Sequence, residues 1–305
     1  MRLSKSLHVL SGVVLVATAL VGFTVPGTAS ASTAKVTRSP GYWLESRDGG
    51  VFAFGGAPFL GSAIHQCTLQ CWGFAATGDG NGYWVLDNYV SANPSVTNLY
   101  GFGDAANVSI PNLGGGATAV ASTPSGHGGW VLYGQSGTVV PFGGATWYGD
   151  GSTIHHRSGT WPPYGSAISY FSGIASTPDG RGYWLVGIDG GVFAYGDAAF
   201  YGSTGGSTVN APVAGIAPTA DGHGYWLVAW DGGVFAFGDA PFSGSMADQS
   251  LNAVMIGIAG NPEGLGYWTV GQDGGVFAFG GAPFLGSMAN HNPPIQPVFG
   301  VAASG

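Results

Sequence analysis

The chain has 305 residues, of which only 7% are charged, with 7 Lys and Arg against 15 Asp and Glu and a formal net charge of −8. So few cations exclude the clustered Lys and Arg that nucleic acid or an anionic membrane surface demands. Its 58 glycines would suit a disordered chain, but 45% hydrophobic residues with 10 Trp, 13 Tyr and 17 Phe supply ample apolar surface for a packed core.

From the N-terminus, Arg2 and Lys5 precede an apolar run from about Val9 to Phe23, followed by small residues ending in Ala29-Ser30-Ala31. This is the layout of a secretory signal peptide over 1–31, with the mature chain starting near Ser32. The run is shorter than the roughly 20 residues that span a bilayer, and none like it follows, so no membrane span is expected after cleavage. The predicted location is extracellular or at the cell surface.

A repeated unit then begins with GYWLESRDGGVFAFGGAPFLGS at Gly41 and returns as GYWLVGIDGGVFAYGDAAFYGS at Gly182, GYWLVAWDGGVFAFGDAPFSGS at Gly224 and GYWTVGQDGGVFAFGGAPFLGS at Gly266. Degenerate copies start at Gly82 and Gly128, making six in a single domain over residues 32–305. GYWLV and VFAFG alternate as strands do, and Asp-Gly between them predicts a two-residue type I′ hairpin. PFSGS reads as a further short strand, and the segment before each GYW, such as PVAGIAPTADGHG, as another. Four short antiparallel strands in about 42 residues is the size of a propeller blade. The expected fold is all-β, a six-bladed β-propeller of four-stranded antiparallel blades. The ending PVFGVAASG matches the strand that precedes GYW elsewhere, whereas AKVTRSP before Gly41 lacks its GIA core. The C-terminal strand, about Pro297 to Ser304, is therefore expected to complete the first blade and close the ring, which removes a sheet edge.

The units resemble the glycine- and aromatic-rich repeats of secreted actinobacterial propeller-like proteins over about residues 41–305, specifically in four copies and weakly in two. The resemblance implies a WD40-like exported protein whose repeats stand alone or accompany cell-wall hydrolases. It brings no active-site residues.

Cys67 and Cys71, in CTLQC, are the two cysteines. In an exported chain they read as a disulfide, closing a loop small enough to contribute about 2 kcal/mol. A CxxxC metal half-site with His65 nearby is the sharper alternative. Seven of the Asp residues stand before Gly at repeat hairpins, where Asp bonds its own backbone, so they read as scaffold rather than as glycosidase carboxylates. No calcium loop, GxSxG elbow or HExxH occurs, and no catalytic residue, metal or cofactor is indicated.

The six Trp of the GYW repeats read as packing between blades. Trp72, Trp147, Trp161 and Trp230 read as unrepeated. The third copy carries an insertion, STIHHRSGTWPPYGSAISY, where His155, His156, Arg157, Trp161 and Tyr164 gather. Long loops on rigid scaffolds concentrate binding residues. Trp161, Trp230, Trp72, His155, His156, Arg157 and Tyr164 are thus the candidate binding residues. The primary expectation is a monomeric, non-catalytic binding or scaffold propeller recognising a glycan or cell-surface protein through exposed aromatics. Alternatives are an exported propeller enzyme (glycosidase, lyase or other hydrolase) with its site at the central channel, marked by Glu45, His155 or Arg157 meeting a second carboxylate, and a structural surface or matrix component.

Overall fold

The computed structural model describes residues 39–67, 70–87, 96–113, 116–154, 170–264, 266–289 and 296–304. The signal peptide expected over 1–31 and the third-copy residues His155, His156, Arg157, Trp161 and Tyr164 lie outside them. The described residues form nineteen strands and no helix. In chain order these are β1 (Gly41–Ser46), β2 (Val51–Gly55), β3 (Cys71–Ala76), β4 (Gly82–Asp87), β5 (Val96–Gly103), β6 (Val108–Pro111), β7 (Ala119–Ser122), β8 (Gly129–Tyr133), β9 (Thr138–Phe142), β10 (Phe171–Ser176), β11 (Gly182–Gly187), β12 (Val192–Gly196), β13 (Val213–Pro218), β14 (Gly224–Ala229), β15 (Val234–Gly238), β16 (Met255–Gly260), β17 (Gly266–Gly271), β18 (Val276–Gly280) and β19 (Val298–Ser304). They build six antiparallel sheets, in the orders β19-β1-β2, β3-β4-β5-β6, β7-β8-β9, β10-β11-β12, β13-β14-β15 and β16-β17-β18.

The C-terminal strand sits where its sequence placed it: β19 pairs with β1, Gly41 opposite Ser304 and Leu44 opposite Val301. Each sheet's GYW strand is buried along its length, because its two faces pack on the two neighbouring sheets. Alternation therefore divides the core into six clusters, each shared by two consecutive sheets. The cluster joining the sixth sheet to the first holds Trp268, Val270, Tyr42, Leu44 and Val298. It is of the same kind as the one joining the fourth to the fifth, with Trp184, Val186, Tyr225 and Leu227.

Two corrections concern local structure. The Asp-Gly hairpins are not type I′, because among the described residues His65 is the one non-glycine with positive φ. Instead Gly49 donates its N–H to the Ser46 carbonyl at 2.7 Å with φ at 81°, and the Asp48 side chain accepts the Gly50 N–H at 3.2 Å. A turn followed by one left-handed glycine replaces the two-residue loop, as in longer hairpins.

The PFSGS segments are not strands: five sheets have three strands, and the second alone among the described sheets has a fourth, β6 paired with β5. The reason lies in how the segment's polar groups are satisfied. The Trp226 indole donates to the Pro241 carbonyl at 2.9 Å, and the Tyr267 hydroxyl of the next sheet accepts the Ser243 N–H at 3.2 Å and donates to the Gly244 carbonyl at 2.6 Å. With side chains serving these groups, no ladder is needed. The same pair of ring side chains clamps the loops of the first, third, fourth and sixth sheets. After the second sheet the Tyr position is Gly129, which has no hydroxyl to offer. There Tyr133 reaches the Pro111 carbonyl at 2.7 Å instead, and residues 108–111 pair as β6.

The clamp also needs glycine at one position. At Gly202 φ is 134°, and a Cβ would lie 2.6 Å from the Phe237 ring of the next sheet. Burial pushes the hydroxyls of Tyr42, Tyr83, Tyr225 and Tyr267 up from their usual pKa, and that of Tyr183 to about 12, so they stay protonated donors. Replacing Tyr225 by Phe keeps the ring but removes two hydrogen bonds and leaves the Gly202 carbonyl and Tyr201 N–H unserved. We expect a loss of about 1–3 kcal/mol in urea unfolding; an unchanged midpoint would contradict the role assigned to the clamp.

Candidate functional site

Six inner strands, β19, β3, β7, β10, β13 and β16, touch one another in that cyclic order. Together they line a half-open cavity of about 150 Å³. Every strand gives it the same triplet of the repeat, for example Ala214-Gly215-Ile216 from β13 and Ile256-Gly257-Ile258 from β16. A bulge in β13 between Val213 and Gly215, and in β16 between Met255 and Gly257, turns these residues inward. The middle residue is small because the strands crowd there: a Cβ on Gly257 would lie 3.0 Å from the Val301 side chain.

Thr118 and Ser172 supply the only side-chain hydroxyls of this lining, the Trp72 indole the only N–H, and no carboxyl, imidazole or thiol is among the lining residues. Among the described lining residues, then, no side chain is of the kind that ordinarily serves as a general acid or base. Trp72 lies here, on β3, stacked on Phe299 of β19 with ring centroids 4.6 Å apart and still 37% exposed. Its place in the triplet means that it is a repeat position after all, occupied elsewhere by Thr118, Ser172, Ala214, Ile256 and Phe299.

Trp230 sits at the turn after β14. Its N–H donates to the Pro212 carbonyl at 2.9 Å and its own carbonyl accepts the Met255 N–H of the next sheet at 3.0 Å. Ile188 and Gln272 make the same two-way bridge, and Arg47 does so between Pro297 and Cys71. The bridge uses backbone alone, so the identity of the side chain is unconstrained by it. Trp230 and Trp72 are thus not brought together; they mark different parts of the repeat.

Cys67 and Cys71 form a disulfide, which overturns the metal half-site alternative. His65 is exposed in that loop, with φ at 71°.

Glu45 is the one glutamate buried among the described residues. It pairs in register with Gly300, and neither carboxylate oxygen has a hydrogen-bond partner. It is not among the residues lining the cavity, so the meeting of Glu45 with a second carboxylate there, which would have favoured the enzyme alternative, is not found. Burial, with a smaller contribution from the charge of Asp48, holds its pKa well above the usual carboxylate range. The matching residues of other units are Val186, Val228 and Val270. A raised carboxyl pKa stabilises the fold below the unfolded-state pKa, and this is lost as pH climbs from about 4.5 through the folded value. Glu45→Val should therefore be more stable than the parent at neutral pH by roughly 1–3 kcal/mol. Its stability should also fall less between pH 4.5 and 8; parallel pH profiles in denaturant unfolding would contradict the assignment.

Among the described residues one exposed group has metal-like spacing: Asp221, His223 and Asp239, whose ligand atoms lie within 4.8 Å of one another. Sequence reading did not single it out. It belongs to a turn network in which Thr219 bonds Asp221 at 2.8 Å and Asp239 at 3.3 Å, while His223 Nδ1 lies 3.1 Å from Asp221. The fourth unit builds the same network from Thr177, Asp179 and Asp197, with Arg181 in place of His223. In the second, burial acts against ionisation of Asp79, but hydrogen bonds from Asn81 and Thr77 still lower it to about 2. The network secures the turn whichever residue follows, and this is a structural role.

No family model matches the chain, and no curated protein does. Among solved structures, the nidogen–laminin complex aligns with a TM-score of 0.54 at 10% identity, over 87% of this chain and 98% of that one. A chain from Bacteroides uniformis provisionally described as a 6-phosphogluconolactonase aligns with a TM-score of 0.48 at 15% identity, over 82% of each. At such identities the first likeness speaks to the fold alone, which is all-β and propeller-like, and the second is too slight for argument. No helix among the described residues is long and apolar enough to cross a membrane.

Proposed function

We propose that the six sheets are the blades of a closed six-bladed propeller, exported by cleavage of residues 1–31, that works as a monomeric, non-catalytic binding module for glycan. The pairing of β19 with β1 and the hydrogen bonds of Tyr42 with Leu285 and Gly286 support the closure. The Cys67–Cys71 disulfide fits an oxidising compartment, and the repeats resemble those of exported proteins.

The observation that carries the non-catalytic reading is the axial cavity, whose described lining includes no carboxyl, imidazole or thiol side chain. A propeller enzyme gathers odd polar groups from several blades, whereas here each blade offers the same triplet of positions, filled by small, aliphatic or aromatic residues apart from the hydroxyls of Thr118 and Ser172. With charged residues so scarce, aromatic rings are the chain's main means of gripping a polar polymer. Trp72, 37% exposed while stacked on Phe299, Trp230 and the insertion around Trp161 are the aromatic positions to which we assign contact.

The test is a screen of the exported protein against soluble glycans and peptidoglycan, with Trp72→Ala, Trp161→Ala and Trp230→Ala in parallel. We expect binding without release of reducing ends, weakened about fivefold or more by at least one substitution. Absence of binding to any glycan, or turnover of one, would overturn this reading.

A further inference from the structure

The outer loops carry a feature that the unrepeated tryptophans obscure. Phe59, Phe200, Phe242 and Phe284 are 63%, 61%, 62% and 62% exposed, and Trp147 is 54% exposed. All five hold the same place in the repeat: the residue after the carbonyl that accepts the indole N–H and before the N–H that the tyrosine accepts. For Phe200, the Trp184 indole donates to the Ala199 carbonyl at 2.7 Å and the Tyr225 hydroxyl accepts the Tyr201 N–H at 3.2 Å. For Trp147 the partners are Trp130 on Thr146 at 2.8 Å and Tyr183 on Tyr148 at 3.2 Å. Trp147 is therefore not an unrepeated residue, as its sequence suggested, but the third unit's version of Phe59.

An apolar ring left in water does nothing for the core, yet five units keep one while diverging elsewhere. Each is presented on backbone pinned immediately before and after it, so little conformational entropy is lost when something lands on the ring. The second unit sharpens the point. There the next sheet has Gly129 in place of tyrosine, the clamp is half missing, and the exposed position is Asn107. The aromatic and its two-sided clamp are absent together.

We infer that Phe59, Trp147, Phe200, Phe242 and Phe284 form a repeated set of contact points for a neutral polysaccharide, each stacking on one sugar ring of a polymer or of a polymer surface. This rests on the glycan reading above and names its contact residues and ligand class. Single rings, one per sheet, do not make the contiguous area of about 800 Å² per partner that a stable protein interface buries. They suit a ligand that repeats, because weak equivalent contacts then add through effective concentration. Charge selects the neutral class: Arg47 and Arg181 are the only Lys or Arg among the described residues, Arg181 faces Asp179, and the chain is acidic overall. Among the described residues, sulfated or uronic polymers would find only Arg47 free of an acidic neighbour in an ion pair.

The test is co-sedimentation of the exported full chain with insoluble chitin and with cellulose, heparin–agarose being the acidic comparator. Variants are Phe59→Ser, Phe242→Ser and the fivefold variant that also replaces Trp147, Phe200 and Phe284 with Ser. Because the rings are exposed, unfolding midpoints should stay near the parent's, which checks the fold of every variant. We expect retention on chitin or cellulose but not on heparin, a ~2–5-fold loss for each single change and a loss of ~100-fold or more for the fivefold variant. Retention unaffected by the fivefold change would overturn the inference while leaving glycan binding itself in place. Failure of the parent to bind either neutral polymer would also overturn it, and the soluble-glycan and peptidoglycan screen would judge the broader reading separately. A shift in oligomeric state of the fivefold variant in gel filtration would likewise overturn it, by showing that the rings cover another copy of the chain.

Discussion

Five of the six outer loops are held from two sides, by an indole from their own sheet and a phenol from the next, and the spacing of those sheets follows from that clamp. The tryptophan fixes the loop against the sheet it belongs to. The tyrosine takes an N–H and a carbonyl of the same loop, so two sheets cannot separate without exposing both. The rings involved also form the hydrophobic contact between sheets: Trp184 lies 5.7 Å from Tyr225, Trp226 5.2 Å from Tyr267 and Trp268 5.2 Å from Tyr42. One pair of residues thus provides burial, hydrogen bonding and register at most interfaces.

Other features of the unit can be understood from this arrangement. Glycines are required where strands or loops crowd a neighbour, as Gly257 does at the axis and Gly202 beneath the Phe237 ring. The backbone bridges through Ile188, Trp230 and Gln272 supply a second link between consecutive sheets, at the opposite end of the strands from the clamp. Where the tyrosine is replaced by Gly129, the chain makes up the loss with Tyr133 and an added strand, so the interface survives in altered form. Glu45 is the exception to this economy, a carboxyl buried where other units use valine, and its unserved oxygens make it a cost rather than a support.

Much of the fold was legible because the repeat is written in side-chain alternation and glycine position. Six units, the strands GYWLV and VFAFG, and the pairing of the final strand with Gly41–Ser46 all followed from local pattern. The hairpin type did not, because Asp-Gly is compatible with more than one turn and the choice depends on a hydrogen bond from two residues beyond. Nor did the missing fourth strand: PFSGS has strand-like composition, and only the tertiary hydrogen bonds of Trp226 and Tyr267 show why it pairs with nothing. Trp72, singled out as odd, is a variable place in a repeated triplet. The exposed Phe59, Phe200, Phe242 and Phe284 escaped notice for the opposite reason, since a repeated phenylalanine reads as core until its exposure is seen. The signal for them lay in the sequence, in the Pro or Ala before and the glycine two residues after.

A closed ring requires the sixth and first sheets to be joined as firmly as any other pair. Native-state hydrogen exchange read by mass spectrometry tests this most directly, by comparing residues 298–304 with the matching inner strands Val213–Pro218 and Met255–Gly260. If β19 completes a closed ring, its amides will exchange as slowly as theirs and in the same cooperative opening. Rapid exchange over 298–304 while the other two strands remain protected would contradict closure, and with it the propeller on which the proposed function depends.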